Sequence, residues 1–332
     1  MTPGLDARID ALSRRVNEPA IPEPSIRKWL GQFEEEDRPA ALLLLEQITF
    51  HTYPALIGES RLLHGKLKAA LSAAGFDGDG LRDVDFTREF TCKSGDIISY
   101  IYRKANLIPT ADFKTVDRLV EASAQEEEGR GERALVILDD YIGTGSQFIF
   151  QFVARSPEDI RLIGSYKRVF LCCVAVHEKA IEKGFLLRHG RIEEVIRLEE
   201  EQIPDVDFAP DEKLFRESLR KVDWSRIELV RLHTDVSILS EENGSLDREQ
   251  KRIVERFLNR YALKGCEGAT SFLCGRHAFF YGAPNAVPAV LLPLFTRVED
   301  FTVYPDEHYT GITSQIIDYE MGDGGTCTIV RI

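Results

Sequence analysis

The 332-residue chain is poor in cysteine, with six, and has only two methionines and two tryptophans. The cysteines stand at 92, 172, 173, 266, 274 and 327, and no two form a C-x-x-C pair. That excludes the regular framework of a disulfide-stapled secreted domain and predicts free thiols in a reducing, cytoplasmic setting. Cys266, Cys274 and His277 fit no common zinc spacing and read as ordinary half-buried side chains. Basic charge is also short: 42 Lys and Arg face 55 Asp and Glu, a formal charge of −13. A general nucleic-acid binder needs a basic face, so that class falls, local basic patches aside. Apolar runs such as Ala40–Leu45 fall far short of the ~20 residues a spanning helix needs, so no membrane association is expected. Residues 1–16 are charged throughout and lack the apolar segment of a signal peptide. The G-x-x-x-x-G-K-[ST] loop is missing, which excludes a complete P-loop nucleotide site. What remains is an ordinary globular balance, 43% hydrophobic and 29% charged, at a length of about two domains.

Residues 1–78 read as a helical N-terminal extension. Leu5, Ile9, Leu12 and Val16 share one helix face, and Pro19, Pro22 and Pro24 mark a linker. Ser25 is an expected N-cap for a helix with Ile26, Trp29, Leu30 and Phe33 on one side. Pro39 opens another helix, and Gly75 closes a third that starts near Pro54. Near residue 80 the character changes. Val84–Phe90 alternates like a strand, Gly95–Lys104 reads as a helix, and 106–133 as a polar loop or mobile lid. Ala134–Leu138 and Val169–Val176 are continuous apolar runs, typical of strands buried on both faces. Strands alternating with helices imply a mainly parallel sheet. The expected fold is therefore α/β: an α/β core over 79–200, the extension 1–78, and a C-terminal α/β part over 201–332 that forms a hood or completes the sheet.

The strongest chemical signal is Val136-Ile137-Leu138-Asp139-Asp140-Tyr141-Ile142-Gly143-Thr144-Gly145-Ser146-Gln147. A buried strand runs into two carboxylates, then a loop of glycines and hydroxyls, then a helix start. Ligands of open α/β sheets sit beyond the carboxyl ends of the strands. Loop N–H groups and a helix N-terminus make an anion cradle, and Gly143 and Gly145 let the backbone approach a phosphate closely. Carboxylates beside that cradle suit hydroxyls, a metal or a developing cation, and a phosphorylated sugar offers all three.

This stretch resembles the signature of type I phosphoribosyltransferases that binds phosphoribosyl pyrophosphate (PRPP). The resemblance implies that Asp139 and Asp140 lie beside the ribose 2′- and 3′-hydroxyls and stabilise an oxocarbenium-like transition state. It implies that Gly143, Thr144, Gly145, Ser146 and Gln147 hold the 5′-phosphate. Mg²⁺ would sit on the pyrophosphate and ribose hydroxyls, reaching Asp139 and Asp140 only through those hydroxyls or water. Gly143 stands where a Thr is common and Gln147 where the last Thr is usual, so two hydroxyl contacts are missing. Thr91–Asp96 matches the place of the pyrophosphate loop, with Lys93, Ser94, Gly95 and Asp96 as its candidates; Ser94 and Asp96 also fit a simple helix cap. Arg103, Lys104 and Lys114 are further pyrophosphate candidates. His177 follows the second buried strand and reads either as a substrate neighbour or as a helix start. Pro284-Asn285-x-x-Pro288 after an aromatic strand, with the Trp29 helix, resembles phosphoribosyltransferase-like proteins of bacterial conflict and defence systems, over roughly 25–295. Asn285 then either enters the substrate pocket or caps a turn.

Two functions follow. One is an enzyme that binds PRPP or a related ribose phosphate with Mg²⁺ and acts at ribose C1, in nucleotide metabolism or as a nucleotide-targeting antiphage effector. The other is a non-catalytic PRPP or nucleotide sensor that signals to a partner protein, such as one from the same operon. Either is compatible with a homo-oligomer.

Overall fold

The computed structural model describes residues 4–15, 21–78, 81–88, 93–125, 130–143, 157–182, 223–263, 273–281, 283–284, 286–295 and 329–331. Two compact units emerge, Pro54–Thr234 and a second built from both ends of the chain, Met1–Tyr53 with Asp235–Ile332.

The elements of the end-built unit begin with α1 (Leu5–Arg15), α2 (Glu23–Leu30), α3 (Arg38–Glu46) and β1 (Thr49–His51). Pro24 lies in the first turn of α2, where a missing N–H costs nothing. The helix thus starts before Ser25, which is not its N-cap. Trp29 is buried, donates its indole N–H to the Val290 carbonyl at 2.7 Å and meets Phe33 edge-on at 5.0 Å. Phe33 also packs edge-on against Phe257 and Tyr261. Each such pair adds about 0.5–1.5 kcal/mol beyond its buried area.

In the Pro54–Thr234 unit the main helix α4 (Tyr53–Ala73, whose first residue belongs to the other unit) buries Leu56, Leu63, Leu67 and Leu71 at helical spacing. There follow β2 (Val84–Arg88), α5 (Lys93–Ala105), α6 (Val116–Gln125), β3 (Ala134–Ile142), α7 (Pro157–Ser165), β4 (Arg168–His177), α8 (Glu178–Glu182) and β5 (Ile227–Asp235). The sheet order is β2-β3-β4-β5, with β2, β3 and β4 mutually parallel. Every residue of β3 is buried, as is every residue of β4 after Arg168. Val84, Phe86, Val136, Leu138, Phe170 and Cys172 form one core with Leu63, Leu67 and Leu71 of α4 and Tyr102 of α5. Strand alternation sends Asp85, Leu135 and Ile137 to the other face. There the Tyr166 hydroxyl, just past α7, donates to Asp85 at 3.0 Å. Helices thus cover both faces, the α/β arrangement expected of the core.

The later elements are α9 (Arg248–Arg260), β6 (Tyr261–Leu263), β7 (His277–Phe279), α10 (Leu292–Phe295) and β8 (Ile329–Arg331). Asp247 and Gln250 form a reciprocal capping box at the start of α9. β6 pairs antiparallel with β8, and β7 pairs in parallel with β1. The aromatic strand near Phe279 therefore makes a small sheet with the N-terminal block rather than returning to the main sheet.

Two further expectations change. Segment 106–125 is folded, not a lid: Phe113 bridges to Phe86, and α6 buries Val116 and Leu119. Its acidic content hid a short apolar face. Strand β3 also runs on past Leu138, pairing Tyr141 with Ala175 and Ile142 with Val176, because β4 is long enough to match it. The helix expected to start after the glycine loop of 143–147 lies outside the described residues. Among the described residues no helix is long and apolar enough to cross a membrane.

Helices α4 and α5 end in the same hydrogen-bonded turn. Gly75 has φ +85 after α4, and Leu107 has φ +56 after α5. Glycine meets that conformation without penalty, while an L-residue such as leucine loses about 1–2 kcal/mol.

Candidate functional site

Parallel strands present their carboxyl ends on one edge of the sheet. On that edge the register sets Arg88 of β2 beside Leu138 of β3, and Leu138 beside Cys172 of β4. Asp139, Asp140 and Gly143 follow on β3 and just beyond it, and His177 closes β4. The amino end of α5 follows the end of β2. Topology therefore brings Asp139, Asp140, Gly143, His177 and the first turn of α5 to one edge of one unit.

The two aspartates are buried, at 6% and 7% exposure. Each commits one carboxylate oxygen to the next backbone N–H: Asp139 Oδ1 accepts from Asp140 at 2.8 Å, and Asp140 Oδ1 from Tyr141 at 2.9 Å. Alternation puts Asp140 on the face of Leu138, where α5 packs, and Asp139 on the face of Ile137. The acids thus bracket the strand end from both sides. Hard carboxylate oxygens of this kind suit Mg²⁺, held through water or the ribose hydroxyls as the resemblance implies.

Lys93, Ser94, Gly95 and Asp96 are the first turn of α5 rather than a loop before it. Ser94 is half-buried, Gly95 buried and Asp96 exposed. The helix dipole and the first-turn N–H groups, which point out of the amino end of α5, favour an anion at this end. Arg103 and Lys104 belong to the last turn of α5, the far end from the site. Lys114 instead donates to Asp85 at 2.8 Å, near the start of β2. These three side chains do not join the site. His177 is fully buried, and its Nδ1 accepts from the Lys179 N–H at 3.2 Å. Gly143 is a half-buried bend. Thr144, Gly145, Ser146, Gln147 and Asn285 lie outside the described residues.

Two buried polar groupings have no signal in the sequence. In one, Asp85 accepts from Lys114, from Arg133 Nε and Nη2 at 3.1 and 3.0 Å, and from Tyr166. Burial pushes the Asp85 carboxyl up, but its bonds to Arg133 and Lys114 outweigh that and hold it below the ordinary carboxylate range. In the other, His51 Nε2 and His277 Nδ1 lie 2.6 Å apart, and buried Asp235 accepts from the Arg276 N–H at 3.0 Å. One proton shared between the rings satisfies both nitrogens. An acid on the polar-looking side of a strand, or a histidine at a strand end, carries no local mark of such partners.

A family model matches residues 26–292. The chain belongs to the PRTase-CE family. No curated protein and no solved structure matches it. The PRTase-CE match is to a phosphoribosyltransferase-like family and covers most of the chain, from α2 to the start of α10. It spans β3, its two aspartates, and α5. The transferase-type reading of the core therefore rests on the family as well as on the sheet edge.

Proposed function

We propose that this PRTase-CE protein binds PRPP, or a closely related ribose phosphate, with Mg²⁺ and acts at ribose C1. The observation that carries the reading is the pair of buried aspartates at the carboxyl end of β3, on the same edge as the amino end of α5. Asp139 and Asp140 accept hydrogen bonds from the ribose hydroxyls and stabilise positive charge as the C1–O bond to pyrophosphate breaks. The first-turn N–H groups of α5 attract the departing pyrophosphate. Segment Gly143–Gln147 holds the 5′-phosphate. Mg²⁺ supplies charge neutralisation on the phosphate oxygens. The new bond at C1 forms to an acceptor nitrogen or to water, and pyrophosphate leaves with the bonding electrons. A cytoplasmic, nucleotide-targeting role in antiphage defence belongs to the same proposal.

The test is to incubate the protein with PRPP, Mg²⁺ and panels of bases and nucleotides and follow pyrophosphate release, beside Asp139→Asn and Asp140→Asn. Turnover lost in either variant supports the enzyme. Mg²⁺-dependent PRPP binding without turnover supports a sensor instead, a reading favoured by Gln147 where the signature carries a hydroxyl. Phage challenge of cells expressing wild type or Asp139→Asn tests the defence role, which predicts protection by the wild type alone.

A further inference from the structure

The surface at the end of α5 carries a feature that the ribose-phosphate site does not use. After α4, Phe76 N–H bonds the Leu71 carbonyl at 2.9 Å and Gly75 N–H bonds Ser72 at 3.1 Å, with glycine in the left-handed position. After α5 the same pattern recurs: Ile108 N–H bonds Arg103 at 3.0 Å and Leu107 N–H reaches Lys104 at 3.5 Å. Here the left-handed position holds leucine, with its side chain 89% exposed. Glycine would close this turn without strain, as it does after α4. Leu107 buries almost nothing, so the fold gains no packing from it.

Its surroundings make a patch. Tyr100 of α5 is 53% exposed, with Arg103 and Lys104 each 5.8 Å from its ring. Leu62 of α4 is 66% exposed. Its neighbours tie this part of α4 to the end of α5: Asn106 donates to the Ser60 carbonyl at 3.1 Å, and Arg61 to the Ala105 carbonyl at 3.3 Å. Three of the five exposed large hydrophobics among the described residues are thus in this region. Among the described residues Arg61, Arg103 and Lys104 form no ion pair.

We infer that this face docks an acidic segment of a partner protein, with Leu107 and Leu62 as apolar anchors and Arg61, Arg103 and Lys104 as the charged rim. Charge decides the occupant. A two-fold contact with a second copy would set these cations against themselves. An anionic membrane is a broad plane that would also meet the rest of a chain of net charge −13, whereas a short segment meets only the local cations. An acidic segment with apolar side chains satisfies both the cations and the leucines.

The experiment pans the full chain against a displayed library of random short peptides, then measures one selected peptide by fluorescence anisotropy. Enrichment of Asp and Glu together with Leu, Ile or Phe is expected. Leu107→Gly and Arg103→Ala with Lys104→Ala should each weaken binding roughly tenfold, and added salt should weaken it further. Leu107→Gly removes backbone strain, so its melting temperature should hold or rise, which separates lost docking from misfolding. The inference fails if nothing is enriched over a Leu62→Ser, Leu107→Gly double variant, or if neutral or basic peptides are selected. It also fails if sedimentation velocity finds a dimer abolished by Leu107→Gly. Binding to phosphatidylglycerol vesicles that the same substitution abolishes would overturn it in favour of a membrane surface.

Discussion

Removing the Asp85 side chain should damage the core unit while leaving the ribose-phosphate edge intact. Asp85 is 2% exposed, lies near the start of β2, and gathers Lys114, Arg133 and Tyr166 from the segments around it. The bonds to Arg133, a charged pair that is only 28% exposed on the arginine side, are worth about 1.5–3 kcal/mol. The Tyr166 hydroxyl adds about 1 kcal/mol. Lys114 is 37% exposed, so solvent screening cuts its share to about 0.5 kcal/mol. Asp85→Ala should therefore cost about 3–4 kcal/mol, near the usual penalty for breaking a buried ion pair. In a domain of this size that lowers the melting temperature by about 10 °C, read by circular dichroism at pH 7. The pH dependence carries a sign. Because the folded carboxyl titrates below its unfolded value of about 3.9, its contribution is complete above that pH and is lost as pH falls through the lowered value. Wild type should lose stability below about pH 4 more steeply than Asp85→Asn. A fall of less than about 3 °C for Asp85→Ala, or equal acid sensitivity in the two proteins, would refute the reasoning.

Trp29→Phe keeps the aromatic packing of the end-built unit but removes the indole bond to the Val290 carbonyl, and should cost about 1–2 kcal/mol in urea unfolding. Gly78→Ala should destabilise more than Gly75→Ala in the same assay. A Cβ at 78 would meet the Lys68 carbonyl and the Ser72 hydroxyl at 2.5 Å, whereas Gly75 has open space and only backbone strain to resist alanine. Burial pushes the thiols of Cys172 and Cys173 well up, so iodoacetamide at neutral pH should leave both unlabelled in the native protein and label them after unfolding, as read by peptide mass mapping.

The parts of the fold that local pattern could carry were readable in advance. Ala134–Leu138 and Val169–Val176 are buried because continuous apolar runs have no polar face to show solvent. Gly75 closes α4 and Pro39 opens α3 for conformational reasons that need no neighbours. What escaped depends on distant partners. Thr49–His51 is too short to announce itself, and it becomes a strand only because residues 277–279 run beside it. The end-built unit is joined by contacts such as Trp29 to Val290, which no local window contains. At the site, Asp139 and Asp140 were legible from their place after an apolar run. Their placement on opposite faces of an extended β3 was not, because it depends on the length of β4. That α5 begins at Lys93 was not legible, because Lys93 and Ser94 suit a loop or a cap as well as a first turn.

The central claim is that the edge holding Asp139 and Asp140 binds a ribose phosphate. Isothermal titration of PRPP into the full chain, with and without Mg²⁺, tests it most directly. Mg²⁺-dependent binding that falls roughly tenfold or more in Asp139→Asn and Asp140→Asn, with unchanged melting temperatures, is the predicted result. No heat of binding from PRPP or any other ribose phosphate, or equal affinity in wild type and both variants, would contradict it.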